Sequence, residues 1–162
     1  MTDPAKEDPA PAAMAAWGAF LRAHADLVRR MDRALRVATG LPLQWYDVLR
    51  NIAEPDEAPT MRQLEQRVLL SQSGLSRLVA RLTDAGLVVR STPADDRRSV
   101  VLALTPGGRE RLRAAKTVMS RQVRELFARR MTADEAAVLL AVLRRMHSRD
   151  PEESEEPGAA CS

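Results

Sequence analysis

The residues between Thr60 and Thr105 constrain the fold more than any other part of the chain. Thr60, with Gln63 three positions later, carries the signature of a capping box opening the short helix "MRQLEQRVLL". Ser71 has the chemistry of an N-cap for a second helix, "QSGLSRLVARLTDA", which Gly86 closes. Two short helices joined by a tight connection make a helix-turn-helix pattern. Directly after it, the β-branched runs "LVVRST" and "SVVLAL" flank "PADDRR", which predicts an antiparallel hairpin. Thr105 and Pro106 then supply cap and first position of a further helix. A helix-turn-helix followed by a hairpin is a winged-helix arrangement, assigned here to residues 43–105.

The flanks are helical. Apolar residues recur at three- and four-residue spacing from Ala13 to about Thr39, including Trp17, Phe20, Leu27, Met31 and Leu35, and Gly40 ends that segment. After Pro42, residues 43–53 form a second helix, broken by "EPDEAP". The helix opened by Pro106 is expected to run to about Arg130. Thr132 and Glu135 form another capping box for a last helix to about Ser148. The fold class is therefore mostly α (α+β): a winged helix-turn-helix lobe with a two-stranded wing, embedded in one domain over residues 13–149. The helices of 13–39 and 106–148 carry wider apolar stripes than a small three-helix lobe can cover, so their burial needs either one larger core or a partner. Residues 1–12, rich in proline and alanine, and 150–162, acidic with proline and glycine, are expected to be disordered.

Charge narrows the partner. The tail from Asp150 holds five acids and no base, and the first twelve residues hold three acids and Lys6. That leaves 14 acids and 24 bases in residues 13–149, all but Lys116 of the bases being arginine. A body near +10 suits a polyanion such as nucleic acid; an arginine-rich proteome would produce the same excess. No apolar run reaches the roughly 18 residues of a membrane span. The N-terminus lacks the pattern of a secretory signal, and the single cysteine, Cys161, allows no internal disulfide. A cytoplasmic protein without membrane contact is expected. Catalysis has no visible constellation, so no enzyme is expected. His24 and His147 have no Cys or His nearby in the chain, so no metal or other cofactor is expected either.

The second helix of a helix-turn-helix enters the major groove with its N-terminal residues facing base edges. Here that turn offers Ser71, Gln72, Ser73, Ser76 and Arg77, with Arg81 one turn on and Thr60 capping the helix before. An amide suits adenine and a guanidinium suits guanine or phosphate. Leu75, Leu78, Val79 and Leu82 lie opposite and must face the core. An arginine at the tip of a β-ribbon suits the minor groove.

"LSQSGLSRLVARLTDAGLVVR" followed by "DDRRSVVLALTPGG" resembles the MarR family of bacterial transcriptional regulators over residues 13–148. The wing signature of that family, Asp-x-Arg ahead of Leu-Thr and a glycine, falls on Asp96, Arg98, Leu104, Thr105 and Gly108. The resemblance implies an intertwined homodimer that presents two winged helices to a pseudo-palindromic DNA operator. It makes Arg98 the minor-groove arginine and Asp96 its orienting partner; Arg97 lies outside the strict motif, in reach of phosphate. It also implies a ligand-responsive repressor that takes a small aromatic or phenolic effector, for which Trp17, His24, Trp45 and Arg50 are the candidate lining residues. The alternative is a winged helix with an architectural or protein-interaction role that reads no sequence.

Overall fold

The structure is a computed structural model, and it describes residues 10–55, 57–92 and 100–147. Asp95, Asp96, Arg97, Arg98, Cys161 and the acidic tail lie outside the described residues. The chain divides into two compact units between Gln122 and Val123.

The first unit opens with α1, Pro11–Thr39. It begins two residues before the expected Ala13, because Pro11 has no N–H to satisfy and its fixed φ suits the first helical turn. Gly40, at φ 72°, takes the left-handed conformation that ends it. Helix α2, Leu43–Ala53, follows Pro42, whose side chain cannot cap it. The cap comes from α1 instead: Asp32 Oδ1 accepts from the Leu43 N–H at 2.8 Å, while its Oδ2 accepts from Arg36 Nε at 2.6 Å.

These bonds hold the Asp32 carboxyl below the usual carboxylate range, Arg36 contributing most and the Leu43 amide next. A group whose pKa is depressed by folding stabilises above its unfolded value and ceases to do so as pH falls through the folded one. Asp32→Asn keeps an oxygen for Leu43 but loses the charge. It is expected to lower stability at neutral pH, with the deficit closing from about pH 4 downward in urea melts. A deficit unchanged at low pH would contradict the assignment.

Helix α3, Met61–Glu65, is shorter than its apolar pattern suggested, and residues 66–70 turn out of it. The capping box forms as expected: Thr60 Oγ1 accepts from the Gln63 N–H at 3.2 Å, and Gln63 Oε1 accepts from the Thr60 N–H at 2.8 Å. Helix α4, Gln72–Asp84, is capped by Ser71, whose Oγ accepts from the Gly74 N–H at 3.2 Å. Gly86, at φ 68°, closes α4, with Leu87 N–H donating to Leu82 O and Gly86 N–H to Thr83 O.

Strands β1, Val88–Ser91, and β2, Val101–Leu104, pair antiparallel with Val88 opposite Leu104 and Ser91 opposite Val101. A third segment joins them: Leu102 N–H donates to Pro59 O at 2.9 Å, and Thr60 bridges Val101. The stretch that sequence marked only as a helix breaker thus extends the small sheet and ties the wing to the start of α3. Helix α5, Pro106–Leu126, is capped by Thr105 Oγ1, which accepts from the Gly108 N–H at 2.9 Å.

The core of this unit gathers Leu35 from α1, Val48 and Leu49 from α2, Leu64, Leu75, Val79 and Leu82 from the helix pair, and Val88 and Leu102 from the wing. The buried polar side chains among the described residues, Thr39 and Asn51, are both bonded to main chain: Thr39 Oγ1 to Leu35 O and Asn51 Nδ2 to Asp47 O. Arg111 of α5 donates to the Thr39 carbonyl, fastening the end of α1 to the start of α5.

The second unit holds the end of α5, a 3₁₀ turn over Ala128–Arg130, and α6, Ala133–His147. The α-helix stops at Leu126, not at the expected Arg130, because Phe127 leaves helical geometry at φ −123°, ψ −66°. The Thr132–Glu135 box is present, with the Thr132 N–H on Glu135 Oε2 at 2.7 Å. Val138, Leu140 and Met146 stand exposed on α6, as do Met14, Trp17, Phe20 and Leu21 on α1. No helix among the described residues is long and apolar enough to cross a membrane.

Candidate nucleic-acid interface

The polar face of α4 and its cap lie open to solvent. Ser71, Gln72, Ser73, Ser76, Arg77 and Arg81 are all exposed, and Leu75, Leu78, Val79 and Leu82 are buried behind them. This division is the one the sequence predicts, and it follows from helical periodicity: residues three and four apart share a face. The first turn of α4 has no acidic residue, so no like charge on that turn repels an approaching phosphate. Among the described residues neither Arg77 nor Arg81 has an ion-pair partner, in contrast to Arg29, Arg36, Arg50 and Arg129, which pair with acids three or four residues away.

Between α3 and α4 runs a concavity of about 660 Å³ lined by Met61, Arg62, Glu65, Gln72, Ser73, Leu75 and Ser76. Gln72, Ser73 and Ser76 therefore share one groove, with Arg62 of α3 across from them. Sequence reasoning passed over Arg62 and Glu65, although their place on the helix opened by Thr60 was the available signal. Arg67 after α3 and Arg90 in β1 are further exposed cations beside this face. Thr60 is half-buried, with its hydroxyl and N–H both engaged in the capping box. The wing residues Asp96, Arg97 and Arg98 lie outside the described residues, and the strands that carry them are in place on either side.

The four candidate effector residues fall into two groups. Trp17 stacks on Phe20 at 6.1 Å and Phe20 on His24 at 6.2 Å, an aromatic ladder along α1. Trp45 is half-buried against the core of the first unit, and Arg50 bonds Glu54 at 2.9 Å and Asp47 at 3.5 Å. Burial pushes the nearby Tyr46 phenol up from its ordinary pKa.

A helix pair with an open polar N-terminal turn, followed at once by a β-ribbon, defines a winged helix-turn-helix protein. The MarR family model matches residues 39–99, from the end of α1 to just before β2. The structure is similar to Sco3205, a MarR family transcriptional regulator from Streptomyces coelicolor solved in complex with DNA. The two are 27% identical with a TM-score of 0.82 over 90% of this chain and 96% of that one. It is also similar to CouR from Rhodococcus jostii RHA1 bound to p-coumaroyl-CoA, 26% identical, TM-score 0.71, covering 80% of this chain and 89% of that one. In sequence it is 28% identical to YdgJ, an HTH-type transcriptional regulator of Bacillus subtilis, over 68% of this chain and 66% of that protein. Residues 39–99 thus match the MarR family of transcriptional regulators, and the fold is that of solved MarR family structures.

Proposed function

We propose that this chain is a sequence-specific DNA-binding repressor that acts as a homodimer on a pseudo-palindromic operator and releases it when a small effector binds. The observation that carries the reading is the exposed N-terminal turn of α4, in which Gln72, Ser73, Ser76 and Arg77 stand free of ion pairing above a buried apolar face. Gln72 and Arg77 are the base-reading side chains, Ser71, Ser73, Ser76 and Arg81 hold the backbone, and Thr60 positions α3 beside it. Arg98 enters the minor groove with Asp96 orienting it and Arg97 on phosphate. A flexible arginine held by a carboxylate loses less rotamer entropy on insertion.

The exposed apolar faces of α1 and α6 support dimerisation, since a partner chain would bury them. Two lobes would then present α4 about one DNA turn apart. The complex of CouR with p-coumaroyl-CoA supports a small-molecule effector. Trp17 and His24 suit that role on their shared aromatic ladder; Trp45 and Arg50 join it only by giving up their present contacts.

Selecting duplexes from a random pool, then titrating salt against selected and scrambled duplexes, tests the reading. A preference that persists as salt rises supports it, and equal affinity at every salt concentration overturns it. In the same assay Arg98→Ala is expected to weaken binding to all duplexes, most at sites with narrow A·T tracts beside the half-site. Unchanged affinity would remove Arg98 from the interface.

A further inference from the structure

Helix α5 carries a second cationic site, on the flank that faces away from the junction of Arg111 with Thr39. Arg109, Arg113 and Lys116, at i, i+4 and i+7, line a concavity of about 210 Å³ whose other walls are Ala53 of α2, Leu104 of β2 and Leu112 of α5. Leu104 and Leu112 are buried, so the floor is apolar. Arg109 is pinned, its Nη1 donating to the Leu104 carbonyl at 2.6 Å. Among the described residues no carboxylate pairs with any of the three cations, and the neighbouring Glu110 lines a different cavity.

Other cations of this unit are neutralised in place. On α1 and α2 the arginines at 29, 30, 36 and 50 each meet an acid three or four residues away. Like charges three and four residues apart work against a helix, and of the three only Arg109 makes a hydrogen bond within the fold. We propose that this hollow binds the head of a phosphate monoester carrying an apolar group.

Three arguments select that class. A phosphate monoester brings about −1.5 to −2 charges at pH 7, against −1 for a carboxylate, and so matches a triple cation better. Two guanidinium forks beside an ammonium suit phosphate oxygens. The hollow lies below the roughly 300–1,000 Å³ of a site that engulfs a whole drug-sized ligand, so it takes the charged head and the first apolar atoms. A DNA phosphate would find these cations as well, but it has no apolar group to place on Leu104 and Leu112. The proposal concerns the chain alone and does not rest on the operator-binding reading.

Calorimetric titration of the full-length protein with phenyl phosphate, benzoate and inorganic phosphate tests it. Phenyl phosphate is expected to bind once per chain, at least tenfold tighter than either of the others. Arg113→Gln with Lys116→Gln is expected to weaken it at least tenfold, and Lys116→Gln alone about threefold by loss of one of three charges. Arg67→Gln, on the helix-turn-helix lobe, is expected to leave it unchanged. Both replaced side chains are exposed and glutamine is a good helix former, so unchanged circular dichroism is the folding control. No binding, equal affinity for the three probes, or equal affinity of the double variant and the parent protein overturns the proposal. So does a double variant that keeps phenyl phosphate but loses about two units of salt slope on DNA, which assigns the cations to the duplex.

Discussion

Replacing Gly108 by alanine is expected to destabilise the first unit by about 3 kcal/mol, against the sign that helix propensity gives. Gly→Ala inside a helix ordinarily stabilises by up to about 1 kcal/mol, through propensity and a less flexible unfolded chain. Gly108 stands in the first turn of α5, where that gain would apply. A Cβ there would overlap the main-chain carbonyl of Leu87, in the turn between α4 and β1. Main chain cannot rotate aside as a side chain does. The Leu87 carbonyl is also the acceptor for the Thr105 N–H at 3.1 Å, so displacing it loosens the α5 cap and the hairpin base together. The neighbouring Gly107 is the control. Its added methyl would meet only Thr105 Oγ1 at 3.7 Å, an ordinary contact, so Gly107→Ala is expected to stabilise by about 0.5 kcal/mol. Urea melts of the two variants should move in opposite directions; movement in the same direction would contradict the close approach.

The second large effect separates the two faces of α4. Leu75 is 1% exposed and packs in the core of the first unit, so Leu75→Ala is expected to cost about 3 kcal/mol of stability. Gln72 lies three residues earlier on the open face, and Gln72→Ala is expected to change stability by less than about 0.5 kcal/mol. On the proposed reading Gln72→Ala, and likewise Arg77→Ala, costs about 1–3 kcal/mol of DNA discrimination at one position per half-site. Thermal melts and duplex titrations on the same samples make the comparison. A Gln72→Ala protein that melts early, or one that keeps its base preference, would undo the division of labour.

What could be read from the sequence was what acts locally. The caps at Thr60, Ser71, Thr105 and Thr132 were legible because each bond spans three residues, and the residue types leave few other roles. The buried stripe of α4 was legible because 3.6-residue periodicity needs no partner to be seen. The bonds that assemble the lobe were not. Asp32 reaches Leu43 across 11 residues and Arg111 reaches Thr39 across 72, and in each case one member looked like an ordinary surface charge. Nothing in "EPDEAP" announced that Pro59 would accept from Leu102. Gly108 matched a family position before its cause was visible; the cause is a carbonyl 21 residues earlier in the chain. Arg62 was missed because attention to the second helix left the first as a mere support, although the two share a groove. Arg98 and Asp96 stand as proposals carried by the wing signature.

Only Ala85, Gly86 and Leu87 separate α4 from β1, and they are stitched on both sides. Leu87 N–H reaches back to Leu82, while Thr105 reaches across to both Gly86 and Leu87 through its hydroxyl and its amide. Such a joint has no slack. The helix and the ribbon turn as one piece, like a key cut from a single blank, so the interval between what each touches is built in with the chain. In the proposed dimer, any adjustment to a differently spaced target has to come from moving one whole lobe against the other.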